Sequence, residues 1–116
     1  RSEEAIASYD KALEFKPDKH EAWYNRGVAL GSLGRSEEAI ASYDKALEFK
    51  PDDHEAWYNR ACAYSLQGNT ELALENLRRA IDCHPERRYE LAKTDTDFDP
   101  IRHDPRFQTL INPETP

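Results

Sequence analysis

The sequence predicts an all-α array of antiparallel helix pairs. Three observations carry that prediction. Residues 1–26 and 35–60 differ at one position only, Lys19 against Asp53, which sets a repeat period of 34 residues. Apolar residues recur at three- and four-residue spacing within each half-period. Proline or glycine stands at each half-period boundary, at Pro17, Gly34, Pro51, Gly68 and Pro85. The stretch from Glu21 to Pro51 recurs, diverged, from Glu55 to Pro85.

The first predicted helix covers residues 2–15, where Ala5, Ile6, Tyr9, Ala12 and Leu13 form one apolar stripe. Pro17 cannot extend it and pushes Lys16 into an extended conformation. Asp18, with Glu21 three residues on, offers a capping box to the next helix, about 19–33. That helix carries Trp23, Gly27 and Leu30 on one face and ends at Gly34, which tolerates a left-handed C-cap. A third helix, about 36–49, is expected to start on Ser36. The connection is too short for anything but antiparallel neighbours. Gly27 and Ala39 are small beside Trp23, Tyr43 and Leu47, the alternation that close-packed interiors need.

Helices about 53–67 and 70–83 repeat the arrangement, with Asp52 and Glu55 as the second capping box and Gly68-Asn69 at the turn. Leu72, Leu74, Leu77 and Ile81 make this copy more aliphatic, as expected of a terminal unit. Residues 87–94 still read as a helix, with Leu91 in the tryptophan position. Asp-Pro then occurs twice, each time an N-cap followed by proline at the first helical position. Two short helices, about 100–103 and 105–111, are predicted, with Phe98, Ile101, Phe107, Leu110 and Ile111 covering the apolar end of the last repeat. The tail 112–116 is expected to fray. The resulting division is a half-unit at 1–18, whole units at 19–52 and 53–86, and capping helices at 87–116.

The spacing resembles the tetratricopeptide repeat. Trp23, Gly27, Leu30, Ala39, Tyr43 and Pro51 fall on its pattern, as do Trp57, Tyr64, Ala73, Leu77 and Pro85, with Ala61 in the usual glycine position. Arg26 and Arg60 depart from it, standing where leucine is expected. Such arginines need their stems packed and their charges met, and Asp10 and Asp44 on the preceding helices are the expected partners. Trp23 and Trp57 are expected in the core. Residues 98–111 resemble the terminal element of many bacterial tetratricopeptide proteins.

The resemblance implies a right-handed superhelix whose first helices line a concave, protein-binding groove, acting as a scaffold or adaptor without catalysis. It places Tyr24, Val28, Gly31 and Ser32, and then Tyr58, Cys62, Ser65 and Leu66, on that groove, with Glu21, Asn25, Glu55 and Asn59 beside them. Some members hold a partner's C-terminal carboxylates with lysine, arginine and asparagine. Asn25 and Asn59 match the asparagine element, but Glu21 and Glu55 stand where a lysine would help. A basic or apolar peptide is therefore the expected partner. The other reading is a structural spacer or a homotypic self-assembly element. The face of helix 2–15 with Ala5, Ile6 and Tyr9 has no partner within the chain and is expected to self-associate.

Composition narrows the remaining classes. The 116 residues suit one small domain, and a mean hydropathy of −0.96 leaves no stretch resembling a membrane span. A net charge of −7 argues against nucleic-acid backbone binding, which needs a basic stripe. Cys62 and Cys83 lack metal spacing and read as free thiols, compatible with a reducing, cytoplasmic compartment. No nucleophile–base arrangement or phosphate loop is visible, and no cofactor is expected. His20 and His54 recur as part of the repeat, and Cys83-His84 is a single pair. Asp95, Asp97 and Asp99 alternate as a calcium loop might, but without its glycine and glutamate they read as caps and solvated charge.

Overall fold

A computed structural model describes residues 2–112, the side chains of 86–89 excepted. The expectation for the tail lies, from residue 113 on, outside these described residues. The elements are α1 (Ser2–Phe15), α2 (His20–Ser32), α3 (Ser36–Phe49), α4 (His54–Leu66), α5 (Thr70–Cys83), α6 (Pro85–Thr94), a 3-10 helix (Thr96–Ile101) and α7 (Pro105–Ile111). Helices α2–α3 and α4–α5 form antiparallel pairs that stack with α1 and α6 into an all-α solenoid of 50 × 25 × 20 Å. Gly34 and Gly68 adopt φ of 75° and 78°, so both pair-internal turns use the left-handed conformation that glycine supplies without a Cβ penalty.

The pairs close because a small residue faces a large one. A Cβ built on Gly27 would lie 2.4 Å from Tyr43 Cε1. Tyr43 is buried, and the overlap falls on its ring rather than on the far end of a flexible side chain, so the ring would have to shift. One period later, Ala61 and Leu77 occupy these two places and both are fully buried. The larger floor is matched by a smaller lid, so the interhelical gap is filled in both copies.

The expected arginine partners are in place. Arg26 Nε donates to Asp10 Oδ1 at 2.6 Å and its Nη1 to Ser42 Oγ at 2.8 Å. Arg60 pairs with Asp44 Oδ1 at 2.7 Å and donates to Asn76 Oδ1 at 3.0 Å. Each arginine thus crosses three successive helices. Its guanidinium also lies 5.9 Å from the centre of the tryptophan one turn earlier, Trp23 or Trp57. The tryptophans correct the expectation of core burial. Both rings are half-buried, and each indole N–H donates to a loop carbonyl at 2.8 Å, Pro17 O for Trp23 and Pro51 O for Trp57. They pin the inter-repeat loop and support the arginine from the flank, so one edge of each ring stays in solvent.

Three caps differ from expectation. The N-cap positions of α2 and α4 are Lys19 and Asp53, one residue beyond Asp18 and Asp52. Asp53 accepts from the backbone N–H of Glu55 and Ala56, whereas Lys19 makes no side-chain cap. The single difference between the duplicated segments therefore falls on a helix cap. For α3 the cap position is Arg35, again without a side-chain bond, and Ser36 is already helical.

At the C-terminal end, the first short helix begins earlier than the Asp99-Pro100 signal predicts. Asp95 Oδ1 accepts from Asp97 N at 3.0 Å and starts a 3-10 helix with Pro100 inside it. Proline has no N–H to return to Asp97 O, and that carbonyl accepts from Ser65 Oγ at 2.7 Å instead. Asp104 caps α7 as expected, accepting from Arg106 N. Phe98 and Phe107 are fully buried with ring centres 5.5 Å apart, and with Ile101 and Ile111 they cover α4 and α5.

Two stability predictions follow from these matched positions. Gly27→Ala should cost about 1–3 kcal/mol despite the better helix propensity of alanine. Combining it with Tyr43→Leu, which recreates the Ala61–Leu77 solution, should cost less than the two single changes added together. Urea midpoints of the four proteins in this cycle measure the coupling, and strict additivity would refute the steric account. Lys19→Asp should stabilise the chain by about 1 kcal/mol by giving α2 the cap that α4 has, checked by thermal unfolding.

Candidate protein-binding groove

The first helices of the two pairs lie side by side on one face of the solenoid. Between α2, α3 and α4 they leave a concave pocket of about 380 Å³. Its α2 wall is Tyr24, Val28, Gly31 and Ser32; its α4 wall is Asn59, Cys62, Ala63 and Leu66. The floor comes from α3 through Ser36, Ala39 and Tyr43, and one end is formed by Asp97 of the 3-10 helix. Helical spacing explains the α2 wall: residues 24, 28 and 31 lie one turn apart, on the side away from the Ala22–Ala29 stripe that is buried.

Tyr24 is half-buried, its ring centre 6.0 Å from that of Tyr43 and tilted by 44°. Its hydroxyl accepts from Asn59 Nδ2 at 2.7 Å, so the two walls are tied across the floor. Val28 is 40% and Leu66 53% exposed, a pair of aliphatic lips facing solvent. Burial, followed by the neighbouring Tyr24, raises the Tyr43 hydroxyl well above its ordinary pKa, so the floor is neutral.

The expected residues divide into three groups. Tyr24, Val28, Asn59 and Leu66 line the pocket, whereas Glu21, Asn25 and Glu55 are exposed but do not. Tyr58 and Cys62 correct the expectation of an open second wall, with Tyr58 2% and Cys62 5% exposed. The 3-10 helix lies against α4 and covers them. Tyr58 Oη donates to Asp95 Oδ2 at 2.8 Å, and its ring meets Phe98 edge-on at 5.5 Å. Cys62 keeps only a sliver of contact with the pocket, and its Sγ–H points to Asp95 Oδ2 at 3.9 Å. Ser65, expected on the groove, is fully buried beneath the same segment.

Sequence reasoning missed Asp97, because its position depends on how the chain returns after α6. Its carboxyl pKa is raised, first by burial and then by the adjacent Asp95 charge. The Cys62 Sγ and one oxygen each of Asp95 and Asp97 all lie within 4.8 Å of one another, a spacing that could hold a metal ion. The chemistry of the trio favours a hydrogen-bonded seam. Burial, then the two carboxylates, raise the Cys62 thiol far above its ordinary pKa, which keeps it protonated and able to donate. Asp95 is already engaged by Tyr58, Cys62 and the Asp97 N–H.

Comparisons with known proteins agree with this architecture. Family models described as tetratricopeptide repeat match residues 20–53 and 42–75, and one described as TPR repeat matches residues 1–34. The chain is a tetratricopeptide repeat protein. The offset frames of the three matches reflect the internal period, since a one-repeat model can be laid on a repeating chain in more than one phase. No curated protein matches the chain. Among solved structures it is similar to YrrB, described as a TPR protein with an unusual peptide-binding site, at 29% identity and a TM-score of 0.73. That alignment covers 79% of this chain and 48% of YrrB, so the chain spans about half of that protein. Two structures of MamA superpose with TM-scores of 0.75 and 0.78 at 20% identity. They cover 96% and 97% of this chain and 67% and 63% of theirs, a likeness of fold. The repeat fold and its structural neighbours support a protein–protein interaction module. No helix among its described residues is long and apolar enough to cross a membrane.

Proposed function

We propose that the chain is a scaffold or adaptor that binds an extended segment of a partner protein in the pocket between α2 and α4, without catalysis of its own. The observation that carries this reading is the pair of exposed aliphatic lips, Val28 and Leu66, on walls tied together by the Asn59–Tyr24 hydrogen bond. Neither lip is needed to close a helix pair, and rigid walls keep the ordering cost of binding low. The peptide-binding site described for YrrB supports extending the reading to this chain. A partner segment of basic or apolar character suits a groove with acidic residues at its end and at the starts of α2 and α4. The proposal places this activity in the cytoplasm and assigns no role in binding nucleic acid.

The test needs variants that leave the fold intact. Tyr58 is unsuitable, because its removal would open the core. Val28→Ser combined with Leu66→Ser changes two partly exposed side chains outside the buried core. Peptides selected on the unmodified chain from a random display library should bind the double variant about tenfold more weakly, with the helical circular dichroism unchanged. Peptides that bind both proteins equally would place recognition elsewhere.

A second reading, self-association, is favoured by one comparison within the molecule. Helices α1 and α3 have the same fourteen-residue sequence. Ser42 and Ala46 are fully buried in α3, whereas their counterparts Ser8 and Ala12 in α1 are exposed. Ile6, expected on the sticky face, is buried, so the open patch is Ala5, Ser8, Tyr9 and Ala12. Two copies meeting through this patch would form a two-fold dimer. Sedimentation at rising concentration should show it, and Ser8→Glu with Ala12→Glu should abolish it. A chain that stays monomeric throughout removes this reading.

A further inference from the structure

We propose that the groove selects a partner segment by one basic side chain, a lysine or arginine whose stem lies between Val28 and Leu66 and whose cation meets the Asp97 carboxylate. This inference rests on the peptide-groove reading and adds the residue that sets its specificity.

The first support is charge without compensation. Among the described residues, Asp10, Asp44, Asp99 and Asp104 each pair with an arginine. Asp95 and Asp97 have no such ion pair, although a carboxylate oxygen of each lies within 4.8 Å of the other. Arg102 follows closely in sequence, but its guanidinium is committed to Asp99 and to the carbonyls of Ala92, Lys93 and Asp95. Two adjacent carboxylates at the end of a partly enclosed pocket create a local demand for positive charge.

The second support is position. The backbone of Asp97 is fixed on both sides, its N–H by Asp95 and its carbonyl by Ser65. Its carboxylate therefore stays at the pocket end. Tyr58 engages Asp95, the Cys62 thiol is shared between Asp95 and Asp97, and Asp97 is the carboxylate that lines the groove. The third support is the shape of the approach. Aliphatic lips followed by a carboxylate match the anatomy of a lysine or arginine, a methylene stem ending in a cation. A partner's C-terminal carboxylate would meet Asp97 with like charge and is disfavoured.

The test uses three peptides, acetyl-Gly-Leu-X-Leu-Gly-amide with X as lysine, norleucine or glutamate, titrated into the isotope-labelled chain. The lysine peptide should shift the backbone resonances of Val28, Leu66 and Asp97 and the side-chain carboxyl resonance of Asp97. It should bind about tenfold more tightly than the norleucine peptide, the scale of one partly buried charge-assisted hydrogen bond. Asp97→Asn should bring the two peptides to parity. A norleucine peptide that binds in the groove as tightly as the lysine peptide overturns the inference while leaving the groove reading intact. So does a lysine preference that survives Asp97→Asn. If none of the peptides perturbs the groove, both readings fall. The lysine–norleucine comparison on the unmodified chain needs no variant, so it decides the matter even if Asp97→Asn does not fold.

Discussion

A helix pair of this size cannot bury both of its sides by itself, and each feature of the molecule follows from that dependence on neighbours. The same fourteen residues are closed over in α3 and left open in α1 because α3 has a first helix from its own pair packed against it and α1 does not. At the other end the difficulty is met differently. The chain turns back through a 3-10 helix and α7 and lays Phe98, Ile101, Phe107 and Ile111 over the last pair. Local propensity accounts for the existence of these helices, while burial by the next element accounts for their stability.

The arginines at positions 26 and 60 show how such a stack is held in register without a large core. Each touches the second helix of the preceding pair and the second helix of its own, with a tryptophan ring alongside. The carboxylate partners are half exposed, so the electrostatic gain is modest. Geometry is the larger contribution, because a planar guanidinium with several donors fixes the relative height of three helices.

Most of the fold was legible because its signals are local or periodic. Pro17, Gly34, Pro51, Gly68 and Pro85 mark helix boundaries, and the 34-residue period carries Asp10 onto Asp44 and Arg26 onto Arg60. The α2 wall of the groove was legible through the resemblance to the tetratricopeptide repeat. Its α4 wall was legible only in part: Asn59 and Leu66 line the pocket as expected, whereas Tyr58 and Ser65 do not. Tyr58 and Cys62 are the periodic counterparts of Tyr24 and Val28, yet they are buried by a segment that returns from more than 30 residues away. No local pattern reports such a contact, and the Asp-Pro signal at Asp99 pointed to a later start than Asp95 provides. Asp97 was invisible as a groove residue on the same ground: its neighbours in space come from another helix.

The near-identity of residues 1–26 and 35–60 has a consequence for how the chain finds its structure. Two copies of one sequence offer two equivalent docking solutions, so helix α1 of one molecule presents to α2 of another the same surface that α3 presents within the chain. Such degeneracy flattens the energy gap between the correct register and an exchanged one, a form of frustration that natural domains usually avoid by diverging. Divergence begins at Ala61 in α4, where Ala61–Leu77 and Asn76 replace Gly27–Tyr43 and Ser42, and it ends in an aromatic cap with no counterpart upstream. The residues from Ala61 onward are therefore what distinguishes one register of the array from another, since the duplicated part alone does not.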